Sequence, residues 1–115
     1  MFEYRAKVLN VVDGDTIDVQ IDLGFDTYRN ERIRLAEVDT PEIRTKNADV
    51  KKVGLSAKVR VIELILNKDV IIKTEKDKTE KYGRYLGTVI LENGRSLNDL
   101  LVSEGLAMVY SGGKK

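Results

Sequence analysis

Residues 33–42 read IRLAEVDTPE, and this stretch divides the chain. Ile33 and Leu35 follow the alternation of a strand, and Val38 extends it toward Thr40-Pro41. Pro41 is the single proline. It cannot donate to a ladder, and it keeps Thr40 out of the helical region, so the strand must stop there. The stretch also carries Arg34, Glu37, Asp39 and Glu42, which is more charge than the end of a strand requires.

Upstream of this stretch, residues 5–12 and 16–23 favour strand, the second with Ile17, Val19, Ile21 and Leu23 alternating against Asp18, Gln20 and Asp22. Between them, Asp13-Gly14-Asp15 predicts a two-residue hairpin turn, since Asp and Gly tolerate positive φ. Residues 24–30 read as a polar loop and 31–38 as a third strand. Downstream, the charged residues 46–52 read as a loop. Residues 54–68, GLSAKVRVIELILNK, put Ala57, Val61, Leu64 and Ile65 on one helical face. The β-branched content argues for strand, but the length of the run and the spacing of Lys58, Arg60 and Glu63 decide for a helix.

Residues 69–75 and 85–92 read as strands around a charged loop, and Glu92-Asn93-Gly94 as a turn. Ser96, with Asp99 three residues on, resembles a capping box that opens a short helix through Val102, which Gly105 ends. Residues 106–110 form a last extended piece. The order β-β-β-α-β-β-α predicts a mixed α+β protein built on a five-stranded OB-fold barrel, an architecture used to bind nucleic acids and sugars. One domain is expected over residues 1–115, with its core at about 5–110 and a short polar tail at 111–115.

The chain has 115 residues, 34% charged and 42% hydrophobic, which suits a soluble domain with an ionic surface. The 20 Lys and Arg nearly balance 19 Asp and Glu, so any contact with nucleic acid must be local. There is no cysteine, which excludes disulfides and thiolate zinc sites. There is also no histidine, which removes the usual neutral-pH general base and the commonest transition-metal ligand. Chemistry then falls to carboxylates, Arg, Lys, Tyr and hydroxyls, and any metal should be a hard one bound by oxygen. The first residues, MFEYRAKVLNV, lack the apolar region of a signal peptide, and no apolar run is long enough to span a bilayer. A cytoplasmic protein is expected, or a secreted one if a leader has been removed.

Four motifs sit at the ends of these elements: VVDGDT, RLAEVDTPE, EKYGR and GLAMVY. Singly, each reads as ordinary turn or cap chemistry. Together, in this order and spacing, they resemble the staphylococcal nuclease family of calcium-dependent thermonucleases, and the resemblance covers about residues 6–110. It implies one calcium ion, ahead of manganese or magnesium, held by the carboxylates of Asp15 and Asp39 and the backbone carbonyl of Thr40. It implies Glu42 as the group that orients or deprotonates the attacking water, and Arg34 and Arg84 as the two phosphate-binding arginines. Lys81 and Tyr82 match the family's nucleotide-contacting pair, and Tyr110 falls near its stacking tyrosines.

The implied activity is hydrolysis of DNA and RNA with little sequence preference, giving 3′-phosphate ends, by a monomer without membrane association. No protein partner can be inferred. The rival reading is a non-catalytic module that binds nucleic acid or protein; such modules lose the carboxylates or arginines that stand here. The chain departs from the family at Glu37, where a small or apolar residue is usual, at Glu80 in place of aspartate, and at Ser56 in place of glutamate. It also ends at Lys115, where the archetype continues into another helix, so a reduced substrate platform is expected.

Overall fold

The computed structural model describes residues 2–74 and 84–109. The first strand, β1 (Phe2–Asp13), is long because it serves two neighbours. It pairs antiparallel with β2 (Thr16–Asp22) on one side and with β5 (Asp69–Thr74) on the other. Register shifts after Val8 and after Val11 let it bend between them. On the far side of β2 lies β3 (Tyr28–Leu35), whose last residues run parallel to β6 (Tyr85–Ile90), and β6 pairs with β5. The order β1-β2-β3-β6-β5 closes on itself, which removes exposed sheet edges. The five-stranded barrel expected from the element order is therefore present.

Alternation along each strand fills the interior. Val8, Ile17, Val19, Ile33, Leu35, Ile72 and Val89 are buried in the barrel, Val61 and Ile65 from α1 (Ala48–Ile65) cover it, and Leu97 and Leu101 from α2 (Leu97–Ser103) complete it. Burying each such side chain contributes about 1.5–3 kcal/mol, so these contacts dominate the stability of the fold. Ser96 caps α2 by accepting the Asp99 N–H at 3.2 Å, and Gly105 follows its end at φ 75°.

Several expected boundaries move. The third strand starts at Tyr28 rather than Glu31, because Tyr28, Arg29 and Asn30 pair with Asp22, Ile21 and Gln20. This part of β3 is largely exposed, so its sequence lacks the alternation that marks a half-buried strand. The strand ends at Leu35; Glu37 turns the chain at φ 62°, and Val38–Asp39 forms a separate strand, β4. β4 pairs with Met108–Val109, β7, in a small two-stranded sheet beside the barrel.

The helix begins at Ala48 rather than Gly54, and residues 48–52, read as loop, are its first turns. Asn47 caps it by accepting the N–H groups of Asp49 and Val50. These turns are mostly exposed, which is why they carry no apolar stripe. Ala57, Val61 and Ile65 are buried as expected, but the fourth buried position is Gly54, while Leu64 is half-buried. The hairpin turn also differs. Asp13 pairs with Thr16, so Gly14 and Asp15 form the turn, and neither is among the positive-φ residues.

Candidate active site

Gly14 is needed for closeness rather than for its dihedral freedom. A Cβ there would lie 2.8 Å from the Ala57 Cβ and 3.0 Å from the Thr40 Cγ2. The β1–β2 turn, α1 and the DTPE segment therefore meet at this glycine. Gly54 plays the matching part on the helix, where a Cβ would lie 2.6 Å from the Pro41 carbonyl oxygen and 3.0 Å from that of Glu42. Local sequence thus presses residues 40–42 against α1 and against the turn that carries Asp15.

Asp15 is buried, at 8% exposure, and its polar atoms are partnered. One carboxylate oxygen accepts the Thr40 N–H at 3.1 Å and the other accepts the Thr16 hydroxyl at 3.1 Å, while its carbonyl accepts the Leu35 N–H at 2.8 Å. Such pairing offsets the cost of burying a charge. Arg34, half-buried at the end of β3, supplies the counter-charge. Its Nη1 donates to the carbonyls of Leu35 at 2.8 Å and Val38 at 2.7 Å. Its Nη2 donates to Asp39 at 3.1 Å and stands 3.6 Å from the Asp15 carboxylate. One guanidinium therefore closes the β3–β4 turn and holds two carboxylates, a task that uses its planar fork.

Arg84 directly precedes β6. The parallel pairing of β3 with β6 brings it beside the start of β2, where its Nη1 lies 3.4 Å from the Thr16 hydroxyl. Asp15, Arg34, Asp39, Thr40 and Arg84 are thus gathered at one rim of the barrel. Glu42 stands apart. Its side chain is exposed and makes no hydrogen bond or ion pair with the described residues, and no cluster of three acidic metal-ligating side chains occurs among them. Lys81, Tyr82 and Tyr110 lie outside the described residues.

The donors at this rim are chemically suited to a hard divalent cation. Two carboxylates and a neighbouring backbone carbonyl are the oxygen ligands that calcium takes. Both carboxylates already converge on one positive group, and the Asp39 side chain is 46% exposed, leaving a face open to solvent. Two residues along β2 from Thr16, hydrogen bonds from Arg32 at 2.8 and 3.2 Å hold the Asp18 carboxyl below its usual range. That cross-strand pair is solvated and structural.

Sequence reading missed Thr16 and Asn98. Thr16 is 2% exposed and links Asp15 to Arg84, yet it looked like the polar start of a strand. Asn98 follows Leu97 in the first turn of α2, and its 4% exposure marks it as a buried hydrogen-bonding group.

A small closed barrel with paired carboxylates and two arginines at one rim defines an OB-type protein with a polar, phosphate-compatible site. The model for staphylococcal nuclease homologues matches residues 32–115, and the chain belongs to that family. It is 35% identical to a thermonuclease of Staphylococcus hyicus across 91% of this chain and 59% of the relative. It is 32% identical to a micrococcal nuclease of Shigella flexneri across 94% and 59%, and 37% identical to the endonuclease YncB of Bacillus subtilis across 91% and 50%. The chain thus spans roughly half to three fifths of the length of these relatives. No helix among the described residues is long and apolar enough to cross a membrane.

Proposed function

We propose that this chain is a calcium-dependent nuclease that hydrolyses phosphodiester bonds of DNA and RNA with little sequence preference. The observation that carries the reading is the convergence of Asp15 and Asp39 on Arg34, with Arg84 reaching the same rim through Thr16. Asp15, Asp39 and the Thr40 carbonyl would hold one calcium ion. When bound, calcium supplies positive charge against the phosphate and helps to order water.

The chain's own residues account for the remaining steps. Hydrolysis passes through a phosphorus centre with added negative charge, which preorganised guanidinium donors stabilise better than bulk water does. Arg34 and Arg84 are those donors. Arg34 is already fixed by two backbone carbonyls, so little reorganisation is needed when phosphate arrives. Glu42, exposed and two residues along the chain from Thr40, would take a proton from the attacking water. Water attacks phosphorus and the 5′-oxygen leaves, which gives a 3′-phosphate end. Lys81, Tyr82 and Tyr110 would contact the nucleotide, by charge and by stacking that tolerates any base.

The test is hydrolysis of single-stranded DNA in calcium, in magnesium and in chelator, with Glu42→Gln and Arg84→Ala beside the wild type. Calcium-dependent cleavage that both substitutions slow by on the order of a hundredfold or more is the expected result. Retained DNA binding without cleavage under any metal would overturn the nuclease reading in favour of a binding module.

A further inference from the structure

Asn98 makes three hydrogen bonds from a position with 4% exposure. Its Oδ1 accepts the Val89 N–H at 3.1 Å, and its Nδ2 donates to the carbonyls of Ala36 at 2.9 Å and Gly87 at 3.2 Å. The amide orientation is fixed by these partners, since exchanging oxygen and nitrogen would set a donor against a donor and an acceptor against two carbonyls. The Gly87 carbonyl also accepts the Ala36 N–H at 2.9 Å. One α2 side chain thus ties the β3–β4 turn to the middle of β6.

These two segments carry opposite halves of the site. The turn held through Ala36 leads within three residues to Asp39, and β6 starts directly after Arg84. Arg34 grips the same turn through the carbonyls of Leu35 and Val38. The turn also holds Glu37 in a left-handed conformation at φ 62°, which a non-glycine residue keeps only when its surroundings enforce it. The backbone between Leu35 and Asp39 is therefore set from one side by Arg34 and from the other by Asn98.

We infer that Asn98 is a positioning residue that fixes the spacing between the Asp39 arm and the Arg84 arm, without touching substrate. Its catalytic part rests on the nuclease reading, whereas its structural part does not. Displacement by about 1 Å of a group that must meet a phosphate costs up to about a hundredfold in rate. A buried asparagine serving packing alone would lower the melting temperature and leave the arms in place.

The experiment uses Asn98→Ala and, should that variant melt below assay temperature, Asn98→Ser, on the full chain. Backbone amide exchange is measured first. Residues 35–40 and 84–90 should exchange at least about tenfold faster, while the α1 positions around Val61 keep wild-type protection. Unchanged exchange in both segments overturns the inference whether or not the protein cleaves DNA. Kinetics on single-stranded DNA in calcium follow. The folded variant should lose kcat by about tenfold or more with KM little changed, and Asn98→Ala combined with Arg84→Ala should be scarcely slower than Arg84→Ala alone. Wild-type kcat in a folded variant, or losses that multiply in full, overturn the positioning role. An inert wild type would instead overturn the nuclease reading and leave the exchange result to decide the clamp.

Discussion

The two ends of β2 are built on opposite terms. At its start, Gly14, Asp15 and Thr16 are buried, and a carboxylate, a hydroxyl and two guanidinium groups are linked by hydrogen bonds at 3.1 and 3.4 Å and an ion pair at 3.6 Å. At its far end, Gly24, Phe25 and Asp26 turn through three successive positive φ angles, Phe25 is fully exposed, and a Cβ on Gly24 would meet nothing within 4 Å. One strand therefore joins an end packed against other elements to an exposed end whose hydrogen bonds stay within the loop itself. Sites that must hold charges at fixed distances need the first arrangement, and a loop that only reverses the chain tolerates the second.

The largest contrast should come from Arg34→Lys. Lysine keeps the charge but cannot bond two carbonyls and two carboxylates at once, so DNA cleavage should fall by on the order of a hundredfold or more. Near-native rates would show that charge alone suffices. Gly54→Ala should come next. Alanine favours helix, yet its methyl would press on the Pro41 and Glu42 carbonyls, and overpacking of this kind costs about 1–3 kcal/mol. Urea denaturation should give a net loss of stability, together with reduced cleavage as residues 40–42 shift; a gain in stability would mean that the segment yields freely.

The smallest effect is expected at the loose end. Phe25→Asn removes an exposed ring from a left-handed position at φ 54°, a conformation asparagine adopts more readily. Stability should rise by no more than about 1 kcal/mol, with cleavage unchanged. A marked loss of activity would contradict the separation of the two ends.

The barrel was legible in the sequence because alternation in residues 16–21 and the proline at 41 are signals of burial and of chain reversal, and both survive folding. Asp15, Asp39, Arg34 and Arg84 also lie together at one rim, whereas Glu42 stands apart from them. What stayed hidden were features that depend on contacts distant in sequence. The first turns of α1 are exposed, so no apolar stripe announced them. Gly14 looked like a turn glycine, whereas its role is to let Ala57 and Thr40 approach. Asn98 could not be assigned without knowing that Ala36, Gly87 and Val89 surround it. Glu37, a departure from the family's usual small residue, sits at the one left-handed position of the β3–β4 turn.

The claim that one rim of the barrel is a cation-dependent phosphodiesterase site is tested most directly by titrating calcium against the single-turnover cleavage rate of a labelled oligonucleotide, for wild type and Asp39→Ala. If Asp39 is a ligand, wild-type cleavage rises with calcium, and the variant needs at least about tenfold more calcium for half its maximal rate, or stays inactive. The same half-saturating calcium in both proteins would contradict the account.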